Sequence, residues 1–327
     1  MAHDLATRAE LVKLAQALGT TPDQVAFAAK LPHTTIRRVR ERAVATLYDE
    51  HKAAFRRVAA ITRLLPTALN VRITLRAFSP LLAARVAGEM APDRAAELAN
   101  RMPVEYLAEA CVHLDPRRAA PLVHRIRQDR VLAVITELVT RGDFITLGRL
   151  LDAATESVVR DVSATVPTEA LLQIGFYAES DAQLTRAVAL LPPARLRGIV
   201  RDALKGEPEL RSAGLALIGR LSDDKLRGQL AEYAAEADDE TLTALLRTAV
   251  DDGAVAELLV AVTTMGEQAQ RRVLKLKALT EPHMAGHLVR TVEKHNLWAR
   301  MAPVVALMDN DLRHRFTEST DRQTDPH

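Results

Sequence analysis

The sequence predicts an all-α protein whose short helices stack in pairs as an α-solenoid. Of the 327 residues, 48% are hydrophobic and only 3% are aromatic. The apolar residues are mainly Ala, Leu and Val, which suits helix-on-helix packing better than β-sheets. A repeat of helix-start signatures, described below, gives the size of the stacked unit. Because 327 residues exceed what one hydrophobic core usually serves, we expect two domains or an extended array.

Residues 1–64 differ in character from the rest and are predicted to form a separate N-terminal domain of three helical segments. The first segment ends at Gly19, a residue type that commonly terminates helices. The second begins at Thr21, with Pro22 in its first turn and Gln24 placed to complete a capping box.

The third segment follows a break at Pro32 and carries apolar residues at steps of three or four up to Leu65. This spacing predicts one long amphipathic helix of about thirty residues. Residues 30–64 hold nine basic and three acidic residues, whereas residues 65–327 hold 33 basic and 36 acidic ones. Positive charge is therefore concentrated near the N-terminus, although the formal net charge of the whole chain is only +2.

This order of helix, turn, short helix, turn and basic helix resembles a helix-turn-helix module, with residues 24–42 as the motif. Three features oppose that interpretation: Leu-Pro in the turn, no aromatic residue among residues 33–44, and a third helix longer than recognition requires. The alternative is a helix that packs on the first repeat and leaves its arginines in water. In the DNA-binding interpretation, Thr34, Thr35, Arg37 and Arg38 face base edges or phosphates, and Arg40 and Arg42 flank the backbone.

Helix-start signatures recur through residues 65–316 at intervals of 24 to 30 residues, which predicts a helical-repeat domain. Each combines a proline or acidic residue in the first helical turn with charge and then apolar residues. A unit of this length holds two short helices, and neither could bury its apolar face alone, so neighbouring units must stack. The starts lie at Ala91, Asp115, Pro167, Pro192, Ser222, Thr280 and Asp309, with two more expected near Arg141 and Asp251.

One stretch carries a family resemblance. The run SPLLAARVAGEMAPDRAAELANRMPVEYLAEACVHLDPRRAAPLV, and more broadly residues 81–166, resembles the intracellular N-terminal domain of MgtE-type magnesium transporters. The resemblance implies a right-handed superhelix of short helices. The regulatory pair of domains and the membrane domain of that family are not recognisable here, so we expect neither magnesium transport nor the family's ion sites.

No catalytic or cofactor motif is recognisable, since the sequence has no nucleophile elbow, phosphate-binding glycine loop or dinucleotide fingerprint. Cys111 has apolar neighbours and is expected to be a small core residue. His283 and His287 lie four apart but lack the glutamate and third ligand of a zinc site. The acidic run from Glu236 to Glu240 is expected to cap a helix. We therefore expect a non-enzymatic protein without a metal or cofactor.

The expected function is that of a protein–protein interaction scaffold or adaptor, with specificity from the inner helices and from loops such as residues 141–146 and 205–209. The alternative is a DNA-binding regulator that contacts nucleic acid through residues 30–57 and uses its repeats to bind a partner or to dimerise. The sequence alone leaves the partner's identity and homo-oligomerisation open.

The expected location is the cytoplasm, because the chain begins with no signal-peptide pattern and its apolar runs are shorter than a membrane span of about 20 residues. Residues 317–327 are polar and turn-forming, and we expect a disordered tail there.

Overall fold

The computed structural model describes residues 5–310, 312–314 and 316, and all regular elements in those residues are helices. The predicted all-α class is therefore confirmed. The chain divides into two compact units, one from Ala6 to Leu191 and the other beginning at Pro192. The domain boundary predicted after residue 64 thus lies inside the first unit. The predicted disordered tail lies outside the described residues.

The first unit consists of short helices joined by tight turns. In chain order they are α1 (Leu5–Leu18), a 3₁₀ helix (Pro22–Lys30), α2 (His33–Asp49), α3 (Lys52–Thr62), α4 (Thr67–Ala77), α5 (Pro80–Ala87), α6 (Pro92–Ala99), α7 (Val104–Val112), α8 (Pro116–Val123), α9 (Gln128–Thr140), α10 (Phe144–Leu150), a second 3₁₀ helix (Leu151–Ala153), α11 (Glu156–Thr165), α12 (Thr168–Phe176) and α13 (Asp181–Ala189).

The second unit is built in the same way. Its helices are α14 (Pro193–Lys205), α15 (Pro208–Arg220), α16 (Asp224–Ala235), α17 (Asp239–Asp251), α18 (Val255–Thr263), α19 (Glu267–Leu274), a 3₁₀ helix (Lys277–Thr280), α20 (Pro282–Lys294) and α21 (Trp298–Ala306).

Within each unit, helices pack on the next helix but one. In the first unit α3 packs on α5, α5 on α7 and α7 on α9, while α4 packs on α6 and α6 on α8. In the second unit α14 packs on α16, α16 on α18 and α15 on α17. This alternation is that of a helical-repeat fold, in which each helix buries its apolar face on its neighbours. The winding of the pairs into a solenoid stays a prediction.

The predicted repeat starts coincide with every second helix from α6 to α20. Eight of the nine predicted positions lie within four residues of the first residue of one of these helices. Local chemistry explains the agreement, because many of the starts carry a proline in the first turn or a capping side chain. Asp115 accepts a hydrogen bond from the backbone N–H of Arg117, for example, and Asp143 accepts one from that of Thr146.

The predicted single helix of about thirty residues is wrong, because the chain forms two helices there. Helix α2 ends at Asp49 and α3 begins at Lys52, with His51 as its N-cap at φ −113° and ψ 9°. The predicted apolar stripe passes through His51, whose side chain is exposed. The stripe is therefore interrupted at that point, and α3 packs on α5 as part of the repeats.

The second N-terminal segment also differs in detail from its prediction. Gly19 ends α1 with φ +65°, as expected of a glycine in this position. Thr21 precedes the next segment, but its side chain makes no capping hydrogen bond, so the predicted capping box is not formed. The segment winds as a 3₁₀ helix.

Candidate protein-binding and nucleic-acid-binding surfaces

The first turn of α2 is held by a small apolar core at the N-terminal end of the first unit. Ile36 is 1% exposed, and this fixes the rotation of α2 about its axis. Residues on the opposite side of α2 are therefore turned to solvent. The core consists of Leu11, Leu14 and Ala15 from α1, Val25 and Ala28 from the 3₁₀ helix, and Ile36.

Three of the six predicted nucleic-acid contacts lie on that solvent side. Thr34, Arg38 and Arg42 are exposed, and their four-residue spacing places them on one face of α2. Thr35 is half-buried. Neither Arg38 nor Arg42 forms an ion pair with any described residue. The two free guanidinium groups of this face are available to bind a polyanion.

The other two arginines are engaged in a buried ionic cluster, which we define as Glu10, Lys13, Arg37, Arg40 and Glu179. Glu10 accepts hydrogen bonds from Lys13 Nζ at 2.9 Å, Arg37 Nη2 at 3.1 Å and Arg40 Nε at 3.2 Å. Arg40 Nη2 donates to Glu179 Oε2 at 2.8 Å. Arg40 is only 6% exposed. Its predicted contact with nucleic acid is therefore corrected, and Arg37 is held by the same carboxylates.

Glu10 is the carboxylate that balances this cluster. Burial raises the pKa of Glu10, but the cations of Lys13, Arg40 and Arg37 together lower it by more than burial raises it. The net pKa of Glu10 therefore lies below its usual 4.5. Burial lowers the pKa of Lys13, and its carboxylate neighbours offset only part of that effect. Glu10 is consequently ionised at neutral pH, as an acceptor for three cationic donors must be.

The ionic cluster attaches the N-terminal segment to the repeats. Glu179 lies in the turn between α12 and α13, more than 130 residues from Arg40 in sequence. A second link joins α1 to the start of α10, because Gln16 Nε2 donates to Asp143 Oδ1 and Thr146 Oγ1, both at 3.3 Å. The first helices are therefore joined to the repeats of the first unit by side-chain contacts.

A different kind of surface covers the outer side of α3 and α4. Ten of the eleven large hydrophobic side chains that are exposed among the described residues lie in residues 18–81. One of them, Leu75 of α4, is 37% exposed. Four others are Ile61 at the end of α3, Leu64 in the turn after α3, and Leu69 and Ile73 of α4, with exposed fractions of 57%, 84%, 43% and 38%. We call these four, together with the exposed Arg57, Arg63, Arg72 and Arg76, the α3–α4 face.

The two buried side chains of α4, Asn70 and Thr74, are polar. Asn70 is 3% exposed, and its Nδ2 donates to the carbonyl oxygen of Thr62 at 2.7 Å and to that of Leu65 at 3.1 Å. These bonds join α4 to the end of α3. Leu69 and Ile73 flank this buried side of α4 and are 43% and 38% exposed.

The α3–α4 face is uniformly positive. Residues 52–88 contain seven basic residues and no acidic residue. None of the four guanidinium groups of the face forms an ion pair with a described residue. Arg56, by contrast, forms an ion pair at 2.9 Å with Glu89, the first acidic residue after that stretch. The face thus combines exposed apolar side chains with unpaired cations.

The sequence indicates the positive charge of the α3–α4 face more fully than the count over residues 30–64 does. That count ends at residue 64, whereas the acid-free stretch continues to residue 88. The exposure of Leu69 and Ile73 has no comparable signal, because their four-residue spacing is equally typical of a buried stripe.

The remaining candidate residues have structural roles. Cys111 packs against the apolar cluster around Leu138, and burial raises the pKa of its thiol to about 12, so it is not a nucleophile. Asp238 accepts a hydrogen bond from the backbone N–H of Thr241 at 2.7 Å and caps α17, as predicted for the acidic run. His283 is exposed.

The described residues contain no group of three or more His, Cys, Asp or Glu side chains that could hold a metal ion. Likewise, none of the helices in the described ranges is both long enough and apolar enough to cross a membrane.

Comparison with known proteins identifies no relative, since no family model, no curated protein and no solved structure matches this chain. The exposed side of α2 and the α3–α4 face are therefore the features of the molecule that bear on its function.

Proposed function

We propose that the chain is a non-enzymatic adaptor that binds a protein partner on the α3–α4 face. The observation that carries the proposal is the exposure of Ile61 in α3, Leu64 in the turn after it, and Leu69 and Ile73 in α4, while α3 packs on α5 and α4 on α6. Grouped apolar side chains on a surface mark sites of interaction with other proteins. A helical-repeat scaffold suits this role because it presents such a surface on a packed framework.

Site-specific cross-linking in the full chain tests the proposal. A photoreactive amino acid replaces Ile73, and in a matched control it replaces Arg186, an exposed residue of α13 in the same unit. In the cells that make the protein, we expect the Ile73 derivative to capture a specific protein that the Arg186 derivative does not. The purified partner should then lose affinity for a Leu69→Ser/Ile73→Ser variant. Identical capture from both positions would count against the proposal.

A second candidate function, DNA binding, is supported by the exposed face of α2. Thr34, Arg38 and Arg42 share one side of a helix that follows a packed three-segment core, which is where a recognition helix presents its contacts. In this case the chain is a DNA-binding regulator, and the α3–α4 face recruits its partner.

Binding of labelled duplex DNA to the full chain tests this second candidate. Arg38→Glu/Arg42→Glu should weaken binding and reduce its salt dependence, since fewer phosphates are neutralised. Arg186→Glu/Arg247→Glu is the matched control, because it changes the same charge at two exposed positions elsewhere. Absence of DNA binding at about 50 mM salt would eliminate this candidate. Arg37 and Arg40 are left unchanged because their loss would disturb the ionic cluster.

A further inference from the structure

We infer that the partner segment on the α3–α4 face is an acidic amphipathic helix, with apolar residues on one side and carboxylates flanking them. This inference rests on the proposed adaptor function and assigns the chemistry of the partner. Three observations carry it: the ridge of exposed apolar side chains, the guanidinium groups placed among them, and the absence of acidic residues across residues 52–88.

The apolar ridge has the form that receives a helix. Leu69 and Ile73 are one turn apart on α4, and the exposed Ile61 and Leu64 precede them at the end of α3 and in the turn that follows it. Helix α4 has 11 residues, so it spans about 16 Å and can support about three turns of a partner helix. Ridges of side chains spaced at three and four residues pack into the grooves between such ridges on a second helix.

The arginines lie on the same side as the apolar residues. Arg76 follows Leu69 by seven residues, which places the two side chains only ~20° apart around the helix axis. Arg72 is one turn before Arg76 and is also exposed. A partner must therefore bring a counter-charge to the rim of the apolar ridge. A carboxylate does this well, because it accepts two parallel hydrogen bonds from one guanidinium group.

The charge of the face argues against a second copy of this chain as the occupant. In a twofold contact the same surface meets itself. Since all the ionisable side chains of residues 52–88 are basic, such a contact would oppose arginine to arginine.

Lipid and nucleic acid fit the face less well than an acidic helix does. An interfacial membrane helix keeps its cations on the side opposite its apolar residues, whereas Arg76 and Leu69 of α4 share one side. A bilayer that buried the side chain of Leu69 would therefore have to bury the charged Arg76 with it. A phosphate backbone would pair with the arginines but would leave Leu64 and Ile73 in water.

The test uses the full chain and two synthetic peptides of about 16 residues, long enough for four helical turns. Both carry leucine at positions i, i+3, i+4 and i+7 on one side. One has glutamate at the flanking positions and the other has lysine. Binding of the labelled peptides is measured by fluorescence anisotropy, with vesicles of phosphatidylserine and phosphatidylcholine as a third probe.

We expect the glutamate peptide to bind and the lysine peptide not to bind. Arg72→Glu/Arg76→Glu should weaken binding of the glutamate peptide by about tenfold, since two attractive pairs become repulsive. Arg186→Glu/Arg247→Glu should change it by less than about twofold. Circular dichroism of each variant verifies that its fold is intact.

Equal binding of both peptides, binding of neither, or vesicle binding that depends on Arg72 and Arg76 without any binding of the glutamate peptide would each overturn the inference. The adaptor function is decided separately by the cross-link from residue 73. If that position captures a partner whose contact segment is not acidic, the inference fails and the adaptor function stands. If it captures no specific partner, the adaptor function fails whatever the peptides do.

Discussion

At the scale of single residues, Glu10 is the side chain on which the arrangement of the N-terminal helices depends. It is 2% exposed and accepts hydrogen bonds from one lysine and two arginines. Buried charges are tolerated only when they are paired, and removal of one partner leaves the others uncompensated. Lys13 and Arg40 would then have Glu179 as their remaining carboxylate neighbour in the cluster.

The substitution Glu10→Gln should therefore lower the free energy of unfolding by about 3 kcal/mol. Urea denaturation followed by circular dichroism at pH 7 measures this change. Glu156→Gln is the matched control, because Glu156 pairs with Arg160 at the exposed surface and its loss should cost less than about 0.5 kcal/mol. If both variants lose the same small amount, the cluster is not a determinant of stability.

The same carboxylate gives a pH dependence whose sign follows from its depressed pKa. The folded-state pKa of Glu10 lies below its usual 4.5, so its contribution to stability is fully present above that value. The contribution is lost as the pH falls through the lower, folded-state pKa. The difference in unfolding free energy between wild type and Glu10→Gln should thus be constant above about pH 5 and shrink in more acidic buffers. A difference that does not change between pH 7 and pH 3 would contradict this assignment.

The residues of α2 show what a sequence can and cannot predict at this scale. The basic stretch predicts exposed arginines, and Arg38 and Arg42 are indeed exposed. Arg37 and Arg40 belong to the same stretch, but their partners Glu10 and Glu179 lie up to 139 residues away. Sequence spacing alone contains no information on which arginines meet those carboxylates.

At the scale of elements, the starts of the repeat helices were predictable and the interruption between α2 and α3 was not. Helix starts depend on local groups, such as the carboxylate of Asp115 that caps α8 or the proline at the first position of α14. The end of α2 has no proline or glycine to mark it. The burial of Asn70 in α4 likewise depends on its contact with the carbonyl of Thr62.

Two glycines determine how closely repeat helices approach one another. A Cβ atom at Gly148 of α10 would lie 2.6 Å from the carbonyl carbon of Tyr177, after α12, and one at Gly228 of α16 would meet the carbonyl oxygen of Thr264, after α18. Both obstacles are backbone atoms, which cannot move aside as a flexible side chain can.

We predict that Gly148→Ala and Gly228→Ala each destabilise the protein by about 2 kcal/mol, because the helices must move apart. Gly198→Ala in α14 is the matched control. Its Cβ would have no neighbour within 4 Å, so it should raise stability by up to about 1 kcal/mol through helix propensity. Thermal unfolding of the three variants measures the predicted loss of stability at positions 148 and 228 and the predicted gain at position 198. A stabilising effect at position 148 would show that α10 and α12 are not in close contact.

At the scale of the whole molecule, the N-terminal segment belongs to the repeat unit that ends at Leu191. Its difference in composition and charge from the repeats suggested a separate domain, but composition does not report long-range pairing. Two side-chain pairs connect the segment to the repeats: Arg40 with Glu179, and Gln16 with Asp143. None of these four residues stands out from its surroundings in the sequence.

This arrangement predicts how fragments of the chain behave. Residues 1–191 should unfold in one cooperative thermal transition, because they retain both residues of the Arg40–Glu179 and Gln16–Asp143 pairs. Residues 1–64 should be largely unfolded by circular dichroism, since their apolar core consists of six side chains and Glu179 is missing from the ionic cluster. A cooperative transition for residues 1–64 alone would show that the segment is an independent domain. If the prediction holds, failure of that fragment to bind DNA would reflect loss of the fold and not the chemistry of Thr34, Arg38 and Arg42, which is why DNA binding is tested on the full chain.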